Sequence, residues 1–138
     1  MKELNIEAVV ENLDEVISFV SAFLEEMECP PKEQMTIEIA VEEIFVNVAH
    51  YAYKPETGMI CVVCNRAEDD LAIEISFEDG GVPFDPLAKE DPDITLPPEE
   101  RPIGGLGIYM VKKSMDNVHY EYRDGKNIFT MRKKIAGS

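Results

Sequence analysis

The alternation of apolar and polar residues along the chain predicts five β-strands. The clearest strand places Leu71, Ile73, Ile75 and Phe77 on one face, with polar or small residues between them. The predicted strands cover residues 4–10, 59–65, 71–77, 118–122 and 128–130. The second and third are separated by a short polar turn, and the last two flank Asp124-Gly125. Both pairs are therefore expected to form hairpins.

Apolar residues at spacings of three and four predict three helices. The first runs from Asn12 to Cys29, with Asn12 as the cap of a capping box. The second runs from Lys32 to Tyr53, after Pro30-Pro31, and the third from Gly105 to Met115. The order β-α-α-β-β-α-β-β predicts an α+β fold, a two-layer sandwich of a mostly antiparallel sheet and three helices.

Residues 84–103 show no periodicity and contain five prolines, so this stretch is predicted to be a functional lid or a disordered loop. The basic tail, residues 132–138, is predicted to be frayed. No repeat or second apolar core interrupts the pattern, and we interpret residues 1–138 as one domain.

A net charge of −15 makes nucleic acids and anionic membranes improbable partners, because the chain repels phosphate groups. With no membrane-length apolar run and no signal-peptide pattern, the expected location is cytoplasmic. Among the three cysteines, Cys61 and Cys64 have metal-site spacing but should point to opposite faces of a strand. They are interpreted as reduced packing residues, and no metal site of cysteine and histidine is predicted.

Three short patterns are candidates for chemistry. Glu43 and Asn47 lie four residues apart and share one helix face. Asp79-Gly80-Gly81 follows the clearest strand, and Gly104-Gly105-Leu106-Gly107 opens the third helix, where exposed amides can bind phosphate. Taken alone, each has an ordinary explanation as a helix edge, a strand-end turn or a loop hinge. The glycine spacing fits neither a dinucleotide fingerprint nor a P-loop.

In combination the three patterns resemble the GHKL (Bergerat) ATPase superfamily. The N box matches Glu43-x-x-x-Asn47, the G1 box Asp79-x-Gly81-x-Pro83, and the G2 box Gly105-x-Gly107. Within the superfamily, the chain length and element order most resemble the anti-sigma factor serine/threonine kinases of bacteria. The resemblance implies a Bergerat ATP-binding fold with an ATP lid at about residues 84–103.

The resemblance also implies ATP and Mg²⁺ as cofactors. Glu43 would be the general base, Asn47 would bind Mg²⁺, and Asp79 would accept a hydrogen bond from the adenine amino group. Further nucleotide contacts are implied for Gly81, Gly105, Leu106, Gly107, Arg101 and Thr130. Of these, Arg101 is equally consistent with an exposed loop residue, and for Thr130 simple sheet packing is the favoured alternative.

The function implied by the resemblance is phosphorylation of a serine on an anti-sigma antagonist protein, which regulates transcription. A sigma factor as second partner and a homodimer are implied with it. The alternative is a nucleotide-gated protein-binding module with little or no kinase activity, in which the lid controls the partner. A third interpretation, an interaction domain without ligand, requires all three boxes to be accidental.

Overall fold

The computed structural model describes residues 1–51, 58–67, 72–83, 85 and 105–135, and for Tyr51 and residues 105–107 only the main chain is described. The predicted lid, except Asp85, and Arg101 within it lie outside the described residues. So do the predicted end of the second helix at Tyr53, Leu71, Gly104 and the last residues of the tail, 136–138.

Within these described ranges, five strands and three α-helices follow one another in the predicted order. They are β1 (Lys2–Glu7), α1 (Leu13–Glu26), α2 (Pro31–Tyr51), β2 (Met59–Arg66), β3 (Ala72–Asp79), α3 (Gly105–Ser114), β4 (Asn117–Arg123) and β5 (Lys126–Lys134). A 3₁₀ turn, Val10–Asn12, joins β1 to α1. No described helix is long and apolar enough to cross a membrane.

The strands form one sheet in the order β1-β2-β3-β5-β4, and every neighbouring pair is antiparallel. The chain therefore inserts its last strand between β3 and β4. This insertion places Asp79, the last residue of β3, directly opposite Asn127 at the start of β5.

The core lies between one face of the sheet and the helices. Ile73, Ile75 and Phe77 of β3 are buried there as the alternation predicted, and Asp79 continues the same alternating series. Residues of β3 at the intervening positions, such as Ser76, lie on the outer face. The α+β sandwich is confirmed, with a sheet that is entirely antiparallel in the described part of the chain.

Two predictions near the N-terminus are wrong. The first strand ends at Glu7, and Val10 is 43% exposed in the 3₁₀ turn rather than buried in a strand. Asn12 makes no side-chain cap, since its Nδ2 donates to the Glu7 carbonyl at 3.0 Å. The amide thus stabilises the strand-to-helix connection instead of the helix start.

The prediction of a frayed tail is also wrong for residues 132–135. β5 runs to Lys134, which pairs with Ala72, and Ile135 is buried. Residues 132–134 are polar and local sequence does not indicate a strand there. They adopt one because they pair with β3 and because Ile135 after them is buried.

The cysteines of β2 lie as predicted on opposite faces, Cys64 in the core and Cys61 half-buried on the outer face. Burial raises the pKa of Cys64 to about 12. Cys64 is therefore an unreactive packing residue at neutral pH.

Candidate functional site

The acid and the amide of α2 form the first part of the site. Asn47 is 8% exposed, and its Nδ2 donates to the main-chain carbonyl of Glu43 at 2.7 Å. A carbonyl oxygen only accepts, so this bond fixes which end of the amide is nitrogen. The Asn47 Oδ1 is thereby directed away from the helix backbone, as a neutral oxygen that can accept a donor or bind a hard cation.

Glu43 lies one turn before Asn47 and is half-buried. Burial first, and the neighbouring negative charge of Glu42 second, raise the pKa of its carboxyl above the ordinary glutamate value. A carboxylate with a raised pKa is a stronger proton acceptor, which suits a general base.

Asp79 forms the second part of the site, at the end of β3. It is 5% exposed, and its Oδ1 accepts hydrogen bonds from the Gly81 amide at 2.9 Å and from Asn127 Nδ2 at 3.0 Å. Within the described residues both bonds fall on Oδ1, which leaves Oδ2 for a donor from outside the chain. Burial raises the pKa of this carboxyl, although the bonds from Asn127 and Gly81 lower it in part.

Asn127 is a site residue that the sequence interpretation missed. It is 4% exposed, and its Nδ2 also donates to the Val82 carbonyl at 2.7 Å, while its Oδ1 accepts from the Tyr120 hydroxyl. One amide therefore joins β3, β4, β5 and the turn after β3. The usable signal was the alternation of Phe129 and Met131, which places Asn127 on the buried face of the strand.

The structure does not bring Thr130 to Asp79. Thr130 follows Asn127 by three positions, an odd offset along a strand, so it lies on the outer face of the sheet, where its hydroxyl is 3.0 Å from that of Ser76. Asn127, rather than Thr130, is the residue of β5 that reaches the aspartate.

The two parts of the site open into one crevice. Asn47 of α2 and Asp79 of β3 both line it, together with Ile44, Val48, Phe77, Tyr120, Asn127 and Phe129. The space is about 10 Å³, room for about one water molecule. Entry of a planar base therefore requires the surrounding side chains to move outward.

The glycine pattern lies at the start of α3. Gly105 is the first residue of that helix, and residues 105–107 form its first turn. α3 packs on α2, where Glu43 and Met110 line a common groove. Among the described residues no group of three or more His, Cys, Asp or Glu side chains forms a metal site.

We expect Asn127→Ala to weaken nucleotide binding about tenfold and to lower the free energy of unfolding by about 1–3 kcal/mol, because it removes buried hydrogen bonds to Asp79, Val82 and Tyr120. Thr130→Ala on the outer face of the same strand is the matched control and should leave nucleotide affinity unchanged. Isothermal titration with ATP and chemical denaturation measure the two effects. Equal losses of affinity in both variants would contradict the assignment of Asn127.

The chain is similar to proteins of known families. Residues 6–133 match the family model described as histidine kinase-like ATPase domain. The serine-protein kinase RsbW of Bacillus cereus (strain AH187) is 35% identical over 96 residues, which cover 67% of this chain and 59% of that protein. The homologous protein of Bacillus thuringiensis subsp. konkukian (strain 97-27) matches with the same identity and coverage. The chain thus spans about three fifths of the length of these curated relatives.

Two solved structures are similar in fold. The RsbU and RsbW domains of Rv1364c from Mycobacterium tuberculosis superpose with a TM-score of 0.68 at 16% identity, over 100% of this chain and 34% of that one. The catalytic domain of the histidine kinase ThkA superposes with a TM-score of 0.53 at 15% identity, over 100% of both chains. These likenesses confirm the predicted architecture.

Proposed function

Because the chain belongs to the histidine kinase-like ATPase domain family, whose model matches residues 6–133, we propose that it is an ATP-dependent protein serine/threonine kinase of the anti-sigma-factor type. One observation carries the proposal. Asn47 of α2 and Asp79 of β3 line the same crevice, with the half-buried carboxylate of Glu43 one helical turn away. Neighbouring elements thus provide a hydrogen-bond acceptor for adenine, an oxygen ligand for a metal ion and a general base.

Adenine recognition is assigned to Asp79. Its Oδ1 is engaged by Gly81 and Asn127, so Oδ2 is the atom that accepts a hydrogen bond from the adenine amino group. Guanine carries an oxygen at the corresponding position and offers no donor there. Gly81 has no side chain to obstruct the base beside the aspartate.

Asn47 is the residue that would hold Mg²⁺, through the Oδ1 that its own hydrogen bond to the Glu43 carbonyl leaves free. A bound magnesium ion neutralises phosphate charge and usually takes few protein ligands. The residues present fit this chemistry, since they supply one neutral oxygen and no competing cluster of acids among the described positions.

Phosphate binding is assigned to the first turn of α3. The main-chain amides of Gly105, Leu106 and Gly107 lie at a helix N-terminus, where unpaired N–H groups favour anions. Arg101, outside the described residues, is proposed as a clamp on the terminal phosphate, and residues 84–103 as a lid over the nucleotide.

Glu43 is proposed to take the proton of the attacking serine hydroxyl. The hydroxyl oxygen bonds to the γ-phosphorus as the bond to the β,γ-bridging oxygen breaks, and ADP leaves. The protein contributes positioning and a proton acceptor, which is most of what phosphoryl transfer requires.

The substrate is proposed to be an anti-sigma antagonist protein, phosphorylated on serine. The relatives named serine-protein kinase RsbW support the serine acceptor, and the resemblance of the three boxes supports the antagonist. A sigma factor as second partner and a homodimer belong to the same proposal. Phosphorylation would then control how much sigma factor is held from transcription.

A thermal-shift titration with ATP, ADP and GTP, with and without Mg²⁺, tests the nucleotide site. We expect the adenine nucleotides to raise the melting temperature and GTP to have little effect, with the ATP shift enlarged by Mg²⁺. Transfer of ³²P from ATP to serine of a candidate antagonist domain tests the kinase step. Equal shifts with ATP and GTP would contradict the role of Asp79, and ATP binding without transfer to the true partner would contradict kinase activity.

A further inference from the structure

The face of α2 that carries Glu43 also carries exposed apolar side chains. Met35 is 63% exposed and Ile39 53% exposed, and the two lie four residues apart. Glu43 follows Ile39 after four more residues, so the three form one stripe along the helix. Single exposed apolar residues are ordinary, whereas a stripe ending at the proposed catalytic carboxylate is not explained by packing.

A second wall faces this stripe. Met110 of α3 is 53% exposed, and α2 and α3 enclose a groove of about 200 Å³ between them. The described residues that line the groove are Thr36, Ile39, Ala40 and Glu43 on α2 and Met110, Val111 and Ser114 on α3. Among the described residues that line it, Glu43 is the one with an ionisable side chain. At 1.5 Å per residue, the α2 wall is about 10 Å long, which matches about three residues of extended chain.

We propose that this groove binds the acceptor segment of the protein substrate, with apolar residues beside the serine packed between Ile39 and Met110. The inference rests on the kinase function proposed above and names the binding site of its second substrate. The serine hydroxyl then lies at Glu43, which takes its proton as the oxygen bonds to the γ-phosphorus of ATP and ADP leaves.

The position of the groove beside Glu43 and the negative charge around it favour the acceptor segment of the substrate as its occupant. The groove begins at Glu43, one helical turn from Asn47, so a segment lying in it delivers its hydroxyl to the proposed base. Glu43 and its neighbour Glu42 are both acidic, and the whole chain carries a net charge of −15. A segment with acidic residues beside the serine is repelled, and one with apolar residues there covers Ile39 and Met110. The flexible thioether side chain of Met110 adapts to different apolar residues.

A positional-scanning library of serine peptides with ³²P-labelled ATP tests the specificity. We expect the full-length protein to prefer apolar residues next to the serine and to reject Asp and Glu there. Ile39→Glu should reverse this preference toward Lys and Arg at one flanking position by tenfold or more, because it places a carboxylate on the groove wall. Met59→Glu is the matched control, since Met59 on β2 is also 53% exposed but does not line the groove, and it should leave the preference unchanged. An unaltered preference in Ile39→Glu would overturn the proposal.

Photo-cross-linking decides the occupant independently of catalysis. A benzophenone amino acid at position 110 should capture a serine peptide with apolar residues beside the serine, whereas the same group at position 59 should not. Capture of residues 84–103 of the same chain, capture of a second copy, or no capture above the position 59 control would each overturn the proposal. If ATP binds but no peptide is phosphorylated, the kinase function fails, and the cross-link still decides whether the groove binds the segment.

Discussion

Replacing Glu43 with glutamine is expected to lower phosphoryl transfer to the protein substrate about 10³-fold, within the range typical of a lost general base. Glutamine keeps the size and polarity of the side chain but cannot take the hydroxyl proton at neutral pH. ATP affinity should be unchanged, since the nucleotide contacts are assigned to Asp79, Asn47 and the first turn of α3. Single-turnover transfer and ATP titration on the same preparation measure the two quantities.

The pH dependence of phosphoryl transfer tests the role of Glu43 in a second way. Glu43 must be ionised to accept a proton, so transfer should fall as pH is lowered through its pKa. Because burial and Glu42 raise that pKa, the acid limb should lie above the ordinary glutamate value, and Glu43→Gln should lack it. Glu42→Gln, on an exposed neighbour, is the matched control. It should keep the transfer rate at high pH and move the acid limb to lower pH, since it removes one of the two causes of the shift.

If Glu43→Gln transfers phosphate as fast as the unsubstituted protein, Glu43 is not the base. If neither protein transfers phosphate but both hold a partner in one nucleotide state only, the chain is a nucleotide-gated binding module. The Glu43 substitution therefore separates the two functions that the sequence left open.

Replacing Asp79 with asparagine is expected to weaken ATP binding about 100-fold, equivalent to about 2.8 kcal/mol. The donors from Gly81 and Asn127 hold the Oδ1 position and will orient the oxygen of the new amide toward themselves. Its NH₂ group then replaces Oδ2 and meets the amino group of adenine, donor against donor. The 6-oxo group of guanine is an acceptor, so the ratio of GTP to ATP affinity should rise.

Glu78→Gln is the matched control for this change, because Glu78 precedes Asp79 on β3 but lies on the outer face. ATP and GTP titrations of both variants measure the effect. An Asp79 variant that keeps both its ATP affinity and its preference for ATP would contradict the assignment of the adenine acceptor.

The Asp79→Asn substitution should not reduce the stability of the protein at neutral pH. The folded-state pKa of Asp79 is raised, so its contribution to the free energy of unfolding is fully present below the unfolded-state pKa and is lost as pH rises through the folded-state pKa. Above the folded-state pKa the ionised carboxylate therefore opposes folding, and an uncharged amide removes that penalty. Melting temperatures of the Asp79→Asn variant at or above those of the unsubstituted protein are expected at pH 7, which also shows that its loss of affinity is not unfolding.

Much of the fold and part of the site could be predicted from local sequence patterns. The alternation in β3 correctly predicted that Ile73, Ile75 and Phe77 face the core, and Asp79, two residues after Phe77, lies on the same buried face. The prediction that Glu43 and Asn47 lie one turn apart on a helix is confirmed by α2. These features depend only on the geometry of a single helix or strand, which local sequence expresses directly.

Features that depend on pairing between distant strands were not predictable in this way. Thr130 was chosen from the resemblance, whereas the residue that reaches Asp79 is Asn127, which the register of β3 and β5 places there. The predicted cap at Asn12 failed for a similar reason, because a carbonyl of the preceding strand satisfies its amide. Register and competing partners are properties of the assembled sheet.

The two-residue turn between β4 and β5 has a consequence for how the protein folds. Asp124 and Gly125 have φ angles of 54° and 78°, the left-handed conformation that a tight hairpin turn requires, so β4 and β5 can pair without help from distant segments. The finished hairpin must then dock on β3, from which residues 80–116 of the chain separate it, and closing so long a separation is slower than forming the hairpin. Until the hairpin docks, the Asp79 carboxyl lacks its hydrogen bond from Asn127. A partly folded chain in which β4 and β5 are already paired should therefore still be unable to bind ATP.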